Sequence, residues 1–493
     1  MPPPNRARTI GRALAAIGVL YVLLGVPTPE PPVAPAPQNA QSFAWNRDAY
    51  WRELESRFVA SDEAGCDQIG ATLALRIEAL DTRMAALRNT TTAPNSTILD
   101  SLERQFFELA PLVATCASRL PDYARLQSTL RDAVKQQSRR WDMRTTSART
   151  RIYRSLYGSR GALEEVMLHH PDDGTALLAG RDEPSATPAA NVEGVTIRSG
   201  DMLVSRGGYP TSALIARGSD FPGNFSHVAL VHVDSATGTA STIEAHIERG
   251  VAISTAEEYL RDKKRRILVL RPRADLPALV ADPLLPHRAA SQMLARARAE
   301  RIPYDFTMDY RDPATLFCSE VASSVYRDNG ITLWTGLSTI SAAGLRRWLS
   351  SFGVRHFETQ EPSDLEYDPQ LVVVAEWRDR DALAADHIDN AVIDAMLEGA
   401  EAGDVLHYDW YRLPAARLAK GYSWILNRFG GVGPIPEGMS ARSALRNQSF
   451  SARQRALAAE VTTRAAELER EQGYPPPYWA LLDLARSVVA ERS

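Results

Sequence analysis

The sequence predicts an α+β protein in which an antiparallel sheet with its own helices is flanked by helical regions on both sides. Three observations carry this expectation. Apolar residues recur at helical spacing over residues 45–157 and again beyond residue 379. Between these regions the pattern changes to short runs that read as strands. Two of those runs, residues 225–233 and 242–247, are joined by a short loop containing Gly238, which fits a β-hairpin.

The amino-terminal residues 1–41 read as a targeting segment. Arg6, Arg8 and Arg12 precede an apolar run at residues 13–26. That run is shorter than the roughly 18 residues a membrane span needs, but it suits the apolar core of a signal peptide. Ala34, Ala36 and Ala40 offer small-residue cleavage sites. Left uncleaved, the run becomes an anchor, with the proline-rich residues 27–37 as a stiff spacer. The expectation is export to the cell envelope (periplasm), either in soluble form or anchored to the inner membrane by this segment.

Residues 42–157 read as a helical hairpin domain with an extension. Leu54, Phe58, Ile69, Leu73, Leu75, Ile77, Leu80, Met84 and Leu87 recur at helical spacing as the first apolar series. The polar run 89–96 breaks it, and further helical stretches follow at 98–118 and 123–157. Cys66 lies about 22 residues before that loop and Cys116 about 19 after it. In an antiparallel hairpin the mismatch is about 4.5 Å along the axis, within bridging reach. A Cys66–Cys116 disulfide is therefore expected in an exported protein, two small buried hydrophobes being the alternative.

Residues 158–194, with prolines at 171, 184 and 188, read as a linker. Residues 195–378 form the central domain. Its strands are expected at 202–205, 225–233, 242–247, 266–271 and 371–377, and its helices at 287–301 and 318–327. The run Lys263, Lys264, Arg265, Arg266 reads as a solvated turn. Residues 379–493 are helical again, at 382–398, 413–429, 452–472 and 479–491. Within 412–429, Arg412, Arg417, Lys420 and Arg428 mix with Leu418, Tyr422, Trp424, Ile425 and Leu426. A basic amphipathic helix of this kind can lie on a membrane, although packing on the central domain is the commoner role.

Composition narrows the function. At 44% apolar and 24% charged residues, the 493-residue chain can bury a sizeable core, enough for about three domains. Its 56 basic and 60 acidic residues give a net charge of −4, with no electrostatic footprint for nucleic acid. Three cysteines exclude a disulfide scaffold and a cysteine-rich zinc module.

Three short pieces of the central domain carry chemistry. On the first expected strand His227, Ala229 and Val231 share a face, and on the next Glu244 and His246 share one. Antiparallel pairing can then set an acid beside the His227 imidazole, which engages one ring nitrogen and leaves the other as a base. His232, five residues on, falls on the opposite face. Cys318 opens an apolar-periodic helix, where the dipole and free N–H groups lower a thiol pKa and can hold an oxyanion. Taken singly, each residue has a commoner role: a buried inert thiol, a core histidine, a surface glutamate. A zinc site built from His227, Glu244 and His246 lacks any ligand motif such as H-E-x-x-H.

In order along the chain come Gly200-Asp201, Ser226-His227, Ile243-Glu244-Ala245, Gly250-Val251, Tyr304-Asp305 and Cys318-Ser319-Glu320. This series resembles the permuted papain-like cysteine hydrolases of the YiiX and YaeF branch, relatives of NlpC-type peptidases. The resemblance covers residues 200–326 and leaves the helical flanks outside. It implies a permuted papain-like (NlpC-type) central domain with Cys318 as nucleophile, His227 as general base and Glu244 in the third, polar position. His246 is the alternative there, and Tyr304 lines the site. The implied chemistry is acyl transfer through a Cys thioester, needing no metal or cofactor. Implied substrates are an amide in a peptide or peptidoglycan fragment or, alternatively, a lipid acyl group cleaved or transferred by the same triad. A third reading makes the central fold a non-catalytic binding module of the envelope, with the helical flanks as its working part.

Overall fold

A computed structural model of the chain describes residues 48–170, 177–378 and 380–492, with residues 15, 18–27, 29, 32, 33, 35 and 42–44. Arg6, Arg8, Arg12, the cleavage-site alanines Ala34, Ala36 and Ala40, and Pro171 of the expected linker lie outside the described residues.

Helical residues 18–25 (α1) precede α2 (Asp48–Ala64), α3 (Cys66–Leu87), α4 (Thr97–Thr115), α5 (Leu120–Ser138) and α6 (Thr146–His169). The expected hairpin is thus five helices, α2 to α6. The long first stretch breaks at Gly65, whose φ of 77° ends helical geometry. The last stretch breaks before Thr145, whose side chain accepts from the Ala148 N–H and starts α6. A disulfide joins Cys66 to Cys116 with the Cα atoms 5.1 Å apart, tying the start of α3 to the end of α4. The expected boundary at residue 157 falls inside α6, because Leu163, Val166 and Met167 remain in the helical core.

The expected linker is largely structured. β1 (Leu177–Ala179) is the edge strand of the main sheet, and β2 (Ala189–Val192) pairs with β3 (Val195–Arg198). The domain continues with β4 (Met202–Gly207), α7 (Pro210–Arg217), β5 (His227–Val233), β6 (Ala240–His246), β7 (Gly250–Thr255), α8 (Ala256–Arg261) and β8 (Lys264–Pro272). Then follow α9 (Pro277–Ala281), α10 (Leu285–Ala299), α11 (Cys318–Asp328), β9 (Ser338–Thr339), α12 (Ala343–Phe352), β10 (Glu358–Thr359), α13 (Asp364–Tyr367) and β11 (Leu371–Trp377).

The main sheet has seven antiparallel strands in the order β1-β11-β8-β4-β5-β6-β7. Alternation gives it two apolar faces. Val204, Val228, Leu230, Ile243 and Leu268 pack on α10 and α11. Leu203, Ala229, Val231 and Val269 pack on Val195, Ile197 and Tyr259. The basic run at 263–266 is not a solvated turn. It enters β8, where Arg266 is buried against Glu164 at 2.5 Å and Asp386 at 2.6 Å.

Beyond the sheet lie α14 (Arg380–Glu401), α15 (Leu413–Arg428), α16 (Ala441–Gln472) and α17 (Tyr478–Glu491). Helices α14, α16 and α17 share one apolar core with α7 and α12 of the central domain, through Leu214, Trp348, Met396, Phe450, Val461 and Ala485. Helix α15 packs with one face only, against residues 435–445 and Phe306.

Candidate active site

Two antiparallel strands position the base. β5 pairs with β6 so that Ala229 faces Glu244, which sets His227 two positions further along β5 on the same face. From there the Glu244 carboxylate reaches the ring: His227 Nε2 lies 2.6 Å from Glu244 Oε2. His246 approaches the other oxygen less closely, at 3.4 Å. Burial works against the Glu244 charge, but its contacts with His227 and His246 outweigh that and hold the carboxyl well below its usual range. A carboxylate only accepts, so Nε2 donates and Nδ1 keeps the lone pair. Burial lowers the His227 pKa, and the attraction of Glu244 does not fully restore it. The ring is therefore neutral at rest.

Helix α11 positions the thiol. The Phe317 N–H donates to Glu320 Oε2 at 3.1 Å, closing the first turn and fixing Cys318 as its first residue. Val321, Ala322 and Val325 seat this helix on the sheet face that presents Val228 and Leu230. The sulfur comes 3.9 Å from the Ser226 carbonyl and meets the Val228 N–H, so it abuts the backbone on either side of His227. The expected low thiol pKa is corrected. Burial pushes it up to about 12, and the N–H groups of Val228 and Ser319 oppose this only in part. At rest both groups are neutral.

Cys318 and His227 line one cavity of about 890 Å³, together with Glu244, His246 and Tyr304. Tyr304 is placed by a bridge to Leu316, two residues before the thiol, and packs edge-on to Phe306 at 5.1 Å. Burial holds its phenol protonated, well above the usual range. His232 stacks on His287 with ring centroids 5.3 Å apart and is not among the cavity residues. Among the described residues no group of three or more His, Cys, Asp or Glu is placed to hold a metal ion.

The remaining motif residues build the frame. Gly200 has a φ of 96°, and a Cβ there would lie 2.3 Å from Pro286 Cβ. Asp201 is locked to Arg271 by two 2.8 Å bonds. Gly250 lets the chain before Tyr304 run against β7: its Cβ would lie 2.1 Å from the Ile302 carbonyl oxygen. Asp305 accepts from the backbone of Thr307 and Asp309 and so holds the turn after Tyr304.

Several cavity residues carry no sequence signal. Glu361 lies in the loop between β10 and α13; burial, then repulsion from Asp364, raises its carboxyl well above the usual range. It is a neutral acid facing the cleft. Lys264, from the basic run that enters β8, stacks on the Tyr259 ring at 4.3 Å and lines the same cavity. Asn447, Ser451 and Arg455 show that the carboxy-terminal helix α16 forms one wall.

A cysteine at a helix start, a strand histidine held by a neighbouring carboxylate, and a cleft shared by the two form an arrangement able to carry nucleophilic acyl transfer. Residues 196–375 match the family described as permuted papain-like amidase enzyme, YaeF/YiiX, C92 family. The match places a permuted papain-like cysteine amidase type over residues 196–375, and the long helical flanks lie outside the matched segment. A solved structure, metalloprotein yiiX from Escherichia coli O157:H7, DUF1105, is similar at 16% identity, covering 36% of this chain and 97% of that one, with a TM-score of 0.29. The comparison with curated proteins gives no match.

Proposed function

We propose that this protein is an exported cysteine hydrolase that cleaves an amide bond in a peptide or peptidoglycan-like substrate. The observation that carries the reading is the 2.6 Å His227–Glu244 pair in the same cleft as the only free thiol among the described residues. Because thiol and ring are both neutral at rest, the proton leaves Cys318 as the sulfur attacks the carbonyl carbon. His227 takes that proton and Glu244 stabilises the imidazolium. The carbonyl oxygen becomes an oxyanion near the first turn of α11, where N–H groups have no helical partner. His227 then protonates the leaving amine, and the C–N bond breaks to give a thioester. Water, deprotonated by His227, cleaves the thioester and returns the thiol.

The Cys66–Cys116 disulfide supports an oxidising compartment, and the amino-terminal apolar run supports export. The test is incubation with peptide amides and soluble peptidoglycan fragments, reading new free amines. Mass spectrometry of an acid-quenched reaction should show an acyl adduct on Cys318. Amine release that persists in Cys318→Ala would sink the mechanism. Release of fatty acid from phospholipid, with no amine from any amide, would move the assignment to a lipid acyl hydrolase.

A further inference from the structure

We infer that α15, with α1 beside it, forms a face that lies on an anionic lipid bilayer. The argument begins with which side of α15 is buried. Leu413, Ala416, Ser423 and Asn427 face inward. Ser423 accepts from the Ile435 N–H at 2.9 Å, and Lys420 donates to the carbonyls of Pro436 and Glu437. The outward side carries Leu418, Tyr422, Ile425 and Phe429, exposed by 63%, 55%, 50% and 85%. At i, i+4, i+7 and i+11 these four fall within about 60° of one another around the helix. A helix that only packs on a protein core buries its apolar stripe. Here the stripe points out while a serine, an asparagine and a lysine are turned in.

The surroundings fit a lipid interface. Trp410, Tyr411 and Trp424 are exposed around the stripe, and such amphipathic rings favour the headgroup layer. From Arg412 to Pro436 the chain has four basic residues and no acidic one; Lys420 is turned in, which leaves Arg412, Arg417 and Arg428, with Asp409 3.7 Å from Arg412. Arg428 sits over the Trp424 ring at 5.5 Å. This charge complements an anionic surface and not a neutral one.

The patch is continuous with a second apolar element. Val19, Leu20, Val22 and Leu23 of α1 are each more than half exposed. The Tyr21 hydroxyl donates to the Tyr411 carbonyl at 2.7 Å, and Arg417 donates to the Leu24 carbonyl at 2.8 Å. No described helix is long and apolar enough to cross a membrane. The mode proposed is a helix lying in the interface plane. Pro436 and Met439, in the segment gripped by α15, line the catalytic cavity, so a bilayer under α15 would set the cleft beside the membrane surface.

The test is co-sedimentation of the full chain with vesicles, either phosphatidylglycerol with phosphatidylethanolamine or phosphatidylcholine alone. Wild type should bind the anionic vesicles and bind less as salt rises. The double variant Ile425→Glu/Phe429→Glu should bind about tenfold more weakly or worse, and Arg412→Glu/Arg428→Glu should lose most of the salt-sensitive part. Leu75→Glu, an equally exposed site on α3, should change nothing. As a check that needs no charged variant, bromine-labelled acyl chains should quench part of the tryptophan emission, and Trp410→Phe/Trp424→Phe should remove that part. The proposal is overturned if wild type does not bind, or if the α15 variants bind as wild type does. It is equally overturned if, without vesicles, those variants turn a dimer into a monomer, which would make a second copy the occupant of the face.

Discussion

Two of the histidine–glutamate contacts among the described residues do opposite things. In the cleft, His227 lies 2.6 Å from Glu244. At the junction of α6, β8 and α14, His387 lies 3.0 Å from Glu164. Glu164 is also bound by Arg266 and by Arg378, the latter at 2.8 Å, and Arg266 reaches on to Asp386. Burial disfavours charge on both rings. At His387 the Glu164 contact outweighs burial and raises the pKa, whereas at His227 burial prevails and lowers it. The second nitrogen of His387 is sealed without a partner, while His227 lines a cavity of about 890 Å³. A histidine held by a carboxylate is therefore not in itself a catalyst. What separates the two pairs is the open side of the ring and the thiol that shares its cavity.

The largest expected effect separates the two pairs directly. Cys318→Ala should lower turnover by roughly 10³-fold or more, while the unfolding free energy shifts by about 1 kcal/mol. His387→Ala should do the reverse. Removing one partner of a buried pair costs about 3–5 kcal/mol, and the protein that remains folded should keep its turnover to within about threefold. Denaturant melts run beside a turnover assay check both. A His387 variant that is stable but inactive would join the two sites and break the comparison.

Next in size is the acid behind the base. Glu244→Gln keeps the shape but removes the charge that stabilises the imidazolium, so turnover should fall on the order of 10²-fold with little change in substrate affinity. His246→Ala should cost less than about tenfold, because its 3.4 Å contact to Glu244 is the longer one. The same Glu→Gln exchange at Glu164 should instead appear as lost stability. If His246→Ala proves the more damaging cleft variant, the third position belongs to it.

The resting protonation states give a smaller, sharper test. With the thiol pushed up to about 12 and the His227 pKa lowered, no thiolate–imidazolium pair exists at neutral pH. Alkylation by iodoacetamide, which can act only at Cys318 among the described cysteines, should be slow at pH 7 and climb about tenfold per pH unit between pH 7 and 9. Turnover should fall on acidification as His227 takes up its proton. A fast alkylation plateau below pH 7 would show a preformed ion pair and overturn the neutral-pair mechanism.

Much of this site was legible in the sequence because it rests on short-range geometry. The two-residue period of β5 and β6 is enough to bring His227 and Glu244 together and to send His232 to the other side. The helix start at Cys318 likewise follows from apolar spacing. What was not legible depends on contacts made across the fold. Nothing local marks Arg266 as buried, since its partners Glu164 and Asp386 lie 102 and 120 residues away. Glu361 sits in an aperiodic loop, and α16 joins the cleft only through tertiary packing. The thiol was misjudged for the same reason. Its position at a helix start is local, but the burial that raises its pKa comes from elsewhere in the fold. Helix breaks at Gly65 and near Thr145 were missed because apolar periodicity persists through them.

The smallest expected effect concerns Glu320, which fixes the first turn of α11. Burial pushes its carboxyl up to about 8, against the Phe317 N–H that favours the charged form. An acid whose pKa is raised on folding binds more protons folded than unfolded between its two pKa values. Stability from this group is therefore present below the unfolded pKa, near 4.5, and is lost as pH rises through about 8. Glu320→Gln keeps an oxygen for the Phe317 N–H and removes the titration. The melting temperature of the variant minus that of wild type should thus grow between pH 5 and pH 9, reaching a few degrees at the alkaline end. Turnover at pH 6, where Glu320 is already neutral, should differ by less than about threefold. A difference that stays flat with pH would mean that the carboxylate is charged when folded, and the turn carrying Cys318 would then be held by an ionic cap.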